Sequence, residues 1–174
     1  MENERNALND PVAPKHLWET GTISQSIKYF GTEGSLPMVE KLMASLQAEL
    51  EELHNDAHEL ANTYWGRSKE INQTKKTSEK TKLGFRARKK TKIVTLEWYF
   101  NRWVFNGKSK KPLSSYIPKG SGTAYRVESI LKYAQDWERE IVIETEAQAA
   151  RIRDQAVQRV QLMVALEKYI DSQT

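Results

Sequence analysis

Apolar residues recur every seventh position in the first third of the chain: Val39, Leu46, Leu53 and Leu60 in one series, Met43, Leu50, Ala57 and Tyr64 in a second. Interleaved, the two series alternate spacings of three and four, the seam of a coiled coil or a tight helical hairpin. Ser35 ahead of Leu36-Pro37 supplies an N-cap with proline in the first turn, where a missing N–H costs nothing. Glu49, Glu51, Glu52, Asp56 and Glu59 surround the seam with solvated charge. The pattern predicts a first long helix over residues 36–66, ending near Trp65-Gly66.

A second stripe runs Ile130, Ala134, Trp137, Ile141, Thr145, Ala149, Ile152, Ala156, Met163, Leu166 and Ile170, and no proline or glycine occurs from Thr123 onward. It predicts a second long helix over 123–174, capped by Thr123 after the Gly120-Ser121-Gly122 break. At about 1.5 Å per residue that helix is roughly 70 Å long. It outruns the first, so part of its seam needs another cover, from the N-terminal segment or a second copy. Residues 1–35 read as an arm with Pro11 and Pro14, in which Leu17, Trp18, Ile23, Ile27, Tyr29 and Phe30 make a short helix before Gly31 and Gly34.

Between the helices the period changes to two. Leu83, Phe85 and Ala87 alternate with Lys82, Gly84, Arg86 and Arg88, an apolar-in, basic-out strand. From Ile93 to Phe105 the chain is β-branched and aromatic, with Val94, Leu96, Trp98 and Phe100 on one face and Tyr99 and Trp103 on the other. Arg102 falls on the apolar face, which predicts a bulge or a strand end there. Asn106-Gly107 then favours a tight hairpin turn. Leu113–Ile117, bracketed by Pro112 and Pro118, reads as an edge strand. Residues 67–81 are too polar to place, either a continuation of the helix or a basic loop. The expected fold is α+β: a long antiparallel helical hairpin, coiled-coil-like, with a small basic antiparallel β-meander inserted over 67–122. Leu46, Leu50, Leu53 and Leu60 would fold against Ile141, Ile152 and Met163.

Composition sharpens this picture. With 39% apolar and 29% charged residues, a narrow helical seam is a better fit than a large central core. The absence of cysteine excludes disulfides. No run approaches the roughly 18 apolar residues of a membrane span, and Met1 to Asp10 lacks the hydrophobic stretch of a signal peptide. A soluble, cytoplasmic protein with no membrane partner is expected.

Charge changes the picture more. Residues 1–66 hold 4 Lys/Arg against 11 Asp/Glu, residues 67–119 hold 16 against 3, and residues 120–174 hold 7 against 9. The net +4 therefore conceals a strongly basic middle between acidic arms. Such segregation implies a polyanionic partner for the middle and a scaffolding or self-association task for the arms.

Lys75, Lys76, Lys80, Lys82, Arg86, Arg88, Lys89, Lys90, Lys92, Lys108, Lys110, Lys111 and Lys119 are the candidate DNA-binding residues. They would neutralise phosphates and make binding steep in salt, with Arg86 and Arg88 placed for base or minor-groove contact. A solvated, solubilising face is the plain alternative for any run of charge, but acids are nearly absent over some fifty residues. Tyr99 and Trp103 are candidates for base stacking, against the simpler reading that sheet aromatics are core. Pro118-Lys119-Gly120-Ser121-Gly122-Thr123 lacks the Walker pattern and reads first as a hinge or cap. His54 and His58, four apart near Glu51, are better explained as surface histidines than as metal ligands. No Gly-x-Ser-x-Gly elbow or cysteine nucleophile is present, so neither an enzyme nor a cofactor is expected.

Ser115-Tyr116-Ile117-Pro118-Lys119-Gly120, then Tyr125, Leu131, Ala134, Trp137-Glu138 and Glu144 through Arg153, resemble the MobI family, over roughly residues 93–170. These are auxiliary mobilisation proteins of integrative conjugative elements and related plasmids. The resemblance implies a bacterial protein acting at an origin of transfer, where it helps a separate relaxase and does not cut DNA itself. Double-stranded DNA, a relaxase or other conjugation protein, and a second copy in a homodimer are the expected partners. A coiled-coil adaptor for an acidic protein and an RNA-binding module are the alternatives.

Overall fold

The computed structural model describes residues 35–90, 93–107 and 109–173. The expected N-terminal arm, with Leu17 and Phe30, lies outside the described residues. By its contacts the chain separates into Met1–Met38 and Val39–Thr174, and only the first turn of a helix is described in the former.

Helix α1 spans Ser35–Thr74. Its predicted seam is buried at Leu46, Leu50, Leu53, Ala57, Leu60 and Tyr64, as the seven-residue period demands. The helix does not stop at Gly66 but continues for two more turns. Glycine inside a helix costs only about 1 kcal/mol, and burial of Ser68 and packing of Ile71 on the core hold the extra turns. Thr74 Oγ1 donates to the Ile71 carbonyl at 2.8 Å where the helix ends. The undecided stretch from residue 67 is therefore mostly helix, followed by a 3-10 turn, Thr77–Glu79.

Strands β1 (Leu83–Lys90), β2 (Ile93–Asn106) and β3 (Ser109–Tyr116) form an antiparallel sheet in sequence order. Leu83 and Phe85 from β1, with Val94, Leu96 and Trp98 from β2, make the buried face predicted from the alternation. Arg102 causes no bulge: the register runs unbroken from Tyr99↔Tyr116 to Asn106↔Ser109. Beyond Phe100 the strand leaves the core, so nothing there requires an apolar side chain. Gly107 has φ +64°, the left-handed state that opens a two-residue hairpin loop and that glycine enters without penalty. β3 starts four residues earlier than expected and contains Pro112, which an edge strand tolerates.

The second long helix is not continuous. After β3 come a short helix α2 (Val127–Leu131), a 3-10 turn (Asp136–Glu138) and then α3 (Arg139–Asp171). Side-chain anchors impose the break. Tyr133 stacks on Phe100, ring centroids 4.1 Å apart, and Trp137 Nε1 donates to the Glu79 carbonyl at 3.0 Å. A capping box between Gln135 and Glu138 then restarts the helix. With 33 residues, α3 is about 50 Å long.

The sheet is a layer against the helices and not an insert beyond them. Tyr64 of α1 meets Phe85 and Trp98 edge-on, at 5.8 and 5.2 Å between centroids, and Trp65 Nε1 donates to the Phe85 carbonyl at 2.8 Å. β2 lies against α3. Glu49 pairs with Arg159 at 2.8 Å and Arg67 with Glu144 at 2.6 Å, an order of partners that makes α1 and α3 antiparallel.

A buried ionic clamp joins β2, α3 and the segment after β3. Glu146 accepts from Trp98 Nε1 (2.7 Å), the Tyr125 N–H (2.8 Å) and Arg153 (2.8 and 3.0 Å). Arg153 also donates to the carbonyls of Leu96 (3.2 Å) and Thr123 (2.6 Å), and its guanidinium lies 5.0 Å from the centre of the Tyr125 ring. Both charged side chains are almost fully buried, a position tolerable only when pairing and hydrogen bonding are this complete. The clamp ties Thr123 and Tyr125 to α3, and the Tyr125 hydroxyl meets the Trp98 N–H of β2, so no helix starts at Thr123.

Candidate nucleic-acid interface

The face of the sheet turned away from the helices is built on β1 and β2. Arg86 and Arg88 point outward there, but neither is unopposed. Arg86 makes a forked contact with Glu97, Nε at 2.9 Å and Nη2 at 2.8 Å, and Arg88 Nε lies 3.8 Å from the same oxygen. Glu97 faces Arg86 directly across the β1–β2 ladder, which explains the geometry. The Arg86 guanidinium also sits 4.9 Å from the centre of the Tyr99 ring. Tyr99 in turn lies flat over Gly84, where a Cβ would come within 2.4 Å of the ring. Tyr99 is thus engaged by Gly84 and Arg86.

The stagger of the three strands creates a second element. β1 pairs with β2 only from Ile93 to Phe100, and β3 only from Tyr99 to Asn106. From Asn101 onward, β2 and β3 continue alone as a two-stranded ribbon that projects about 20 Å at 3.4 Å per residue. Four of its apolar side chains are open to solvent: Trp103 (57% exposed), Phe105 (77%), Val104 (39%) and Leu113 (41%). Arg102 and Lys111 are exposed on the face of Val104 and Leu113, opposite Trp103 and Phe105, and Lys110 pairs in register with Phe105. No aspartate or glutamate occurs between Glu97 and Glu128, so the ribbon's cations have no acidic neighbour in sequence. Ser114 Oγ donates to Asn101 Oδ1 at 2.6 Å at the root.

The remaining candidates are dispersed. Lys75, Lys76, Lys80 and Lys82 occupy the connection from α1 to β1. That connection reaches the ribbon's root, where the Asn101 N–H donates to the Lys82 carbonyl at 2.7 Å. Lys89 turns to α1 and pairs with Glu51, which holds the Glu51 carboxyl below its ordinary pKa. Lys119 folds back on its own loop and donates to the Gly122 carbonyl. Lys90 closes β1 opposite Ile93, while Lys92 and Lys108 lie outside the described residues. Neither Arg102 nor Phe105 is among the site residues that the sequence predicts. The sequence signal at Arg102 is a basic residue in an apolar register.

Elsewhere a cavity of about 400 Å³ opens between α1, the β1–β2 end and Met163, lined by Leu50, Glu51, His54, Lys89 and Val94 among others. His54 and His58 meet edge-on at 4.5 Å, and burial, then the charge of His58, depresses the pKa of His54. No cluster of three or more metal-ligating side chains occurs among the described residues. Nor is any described helix long and apolar enough to cross a membrane.

The model of the MobI family matches residues 53–167, about two thirds of the chain. This protein belongs to the MobI family. The matched region opens inside α1 and closes near the end of α3, so it takes in the whole sheet, the ribbon and the Glu146–Arg153 clamp. Membership gives the chain a mobilisation-related role. Neither a curated protein nor a solved structure matches it.

Proposed function

We propose that this MobI-family protein is a DNA-binding accessory factor, one that helps assemble the relaxase complex at an origin of transfer and performs no cleavage. The observation behind the reading is the β2–β3 ribbon: a projecting, acid-free element carrying Arg102 and Lys111, with the basic connection Lys75–Lys82 at its root. A two-stranded ribbon fits the roughly 12 Å width of a major groove, and phosphate contacts from its flanks would orient the duplex. Arg86 and Arg88 keep a part in this reading, but exchange one shared carboxylate for phosphate when DNA arrives. The acidic arms serve assembly. A second copy packs on the outward stripe of α3, where Ile143, Val157 and Val164 are 47, 40 and 43% exposed at multiples of seven residues.

The test is fluorescence anisotropy with a labelled origin-of-transfer duplex and a scrambled control across a salt series. Binding that falls by orders of magnitude between about 50 and 200 mM salt, and that drops in an Arg102→Ala, Lys111→Ala double variant, is the expected result. Preference for the origin duplex marks sequence reading; equal binding marks a non-specific scaffold. An adaptor for an acidic protein stands in its place if neither duplex binds at low salt.

A further inference from the structure

The ribbon's exposed aromatics have no use in phosphate contact. Trp103 is 57% and Phe105 77% exposed, on an element that pairs with no third strand among the described residues. Apolar side chains displayed together on a projection mark a contact site, and the cations on the ribbon's other face, Arg102 and Lys111, specify its chemistry. Phe105 stands one residue before the Asn106-Gly107 turn, at the leading end of the projection. Arg102 lies three residues behind it, about 10 Å along the strand. DNA grooves are about 7.5–8.5 Å deep. A tip that reaches the floor of a groove therefore leaves Arg102 level with the phosphates at its rim.

Resting on the DNA-binding reading above, we infer that Phe105 and Trp103 are wedges that enter between base pairs of a duplex, unstack a step and bend the helix, while Arg102 and Lys111 hold the flanking phosphates. Apolar side chains inserted in this way kink duplexes in groove-binding architectural proteins, and flexible pyrimidine–purine steps yield most readily. The ligand class is thus a deformable duplex, and the product of binding is a locally opened one.

The experiment uses the full chain, duplexes carrying 2-aminopurine at single steps, and a second set labelled at both ends for energy transfer. The wild-type chain is expected to raise 2-aminopurine emission at one step and to shorten the end-to-end distance. Trp103→Ala with Phe105→Ala should abolish both signals and weaken binding about tenfold, with the salt slope unchanged because the phosphate contacts remain. Phe105→Leu, still an apolar wedge, should keep most of the emission. Wild-type binding that is tight but leaves 2-aminopurine dark at every step overturns the wedge and leaves DNA binding standing. An unchanged emission rise in the double alanine variant overturns it equally. Absence of any wild-type binding brings down both readings.

Discussion

β2 is a single strand with two lives. Its first half, Ile93 to Phe100, lies between β1 and β3 and rests on the helices, with Trp98 fully buried and hydrogen-bonded to Glu146. Its second half, from Asn101, pairs with β3 alone among the described strands, and the side chains from Arg102 to Phe105 are exposed. The alternation shifts by one residue between the halves: Val94, Leu96, Trp98 and Phe100 share one face, and Trp103 and Phe105 lie on the other. Burial changes with it. Aromatic residues at equal spacing serve as core in one place and as a displayed surface in the other, so the chemistry available at Trp103 and Phe105 depends on the rigidity secured around Trp98.

The sharpest way to break this contrast is at the clamp. Arg153→Ala leaves Glu146 buried beside orphaned carbonyls and should destabilise the fold by about 3–5 kcal/mol, measured by urea denaturation. A loss below about 1 kcal/mol would mean that the pair is not desolvated as the structure shows. A smaller perturbation sits on the outer face. Gly84→Val drives a side chain into the ring of Tyr99, and should cost about 1–3 kcal/mol while breaking the Arg86–Tyr99 stack.

Glu138 offers a test through pH. Its carboxyl is fully buried, and one oxygen accepts the Gln135 N–H at 2.8 Å. Desolvation raises its pKa above the ordinary carboxylate value. The folded chain therefore binds the proton more tightly than the unfolded chain does. Its stabilising contribution is complete below the unfolded pKa and is lost as pH rises through the folded one. Glu138→Gln, which keeps a carbonyl for the cap, should remove that slope and leave the protein more stable at neutral pH. Thermal melts between pH 4 and about pH 8 would show it, and an unchanged slope would mean that Glu138 ionises normally.

The least effect on stability belongs to the ribbon. Trp103→Ser and Phe105→Ser should shift stability by no more than about 0.5 kcal/mol, because neither side chain is part of the core. A loss as large as that of Arg153→Ala would dissolve the distinction between the two halves of β2.

Some of this was readable in the chain. The seam from Leu46 to Tyr64, the buried run Val94, Leu96 and Trp98, and the turn at Gly107 all follow from periodicity and local backbone preference. Those are properties that a short segment possesses by itself. The candidate interface was legible as a charge excess, but not as a shape. Arg86 and Arg88 read as outward cations, and only the register brought Glu97 against them. Arg102 and Phe105 stand out only through the stagger of β1 and β3, which leaves this part of β2 paired on one side among the described strands.

The sequence by itself determined the element types, the basic middle and the apolar stripes, because propensity, period and charge act over a few neighbouring residues. Only the tertiary structure decided where α1 ends, why the chain breaks before α3, and which aromatics face water. Each of these turns on partners far apart in the chain: Glu146 and Arg153 with Leu96, Trp98 and Tyr125, Tyr133 with Phe100, Trp137 with Glu79. A buried charge pair on an otherwise apolar helix face looks, in one dimension, like two solvated residues. Its meaning comes from the desolvation that the fold imposes and the hydrogen bonds that the fold then has to supply.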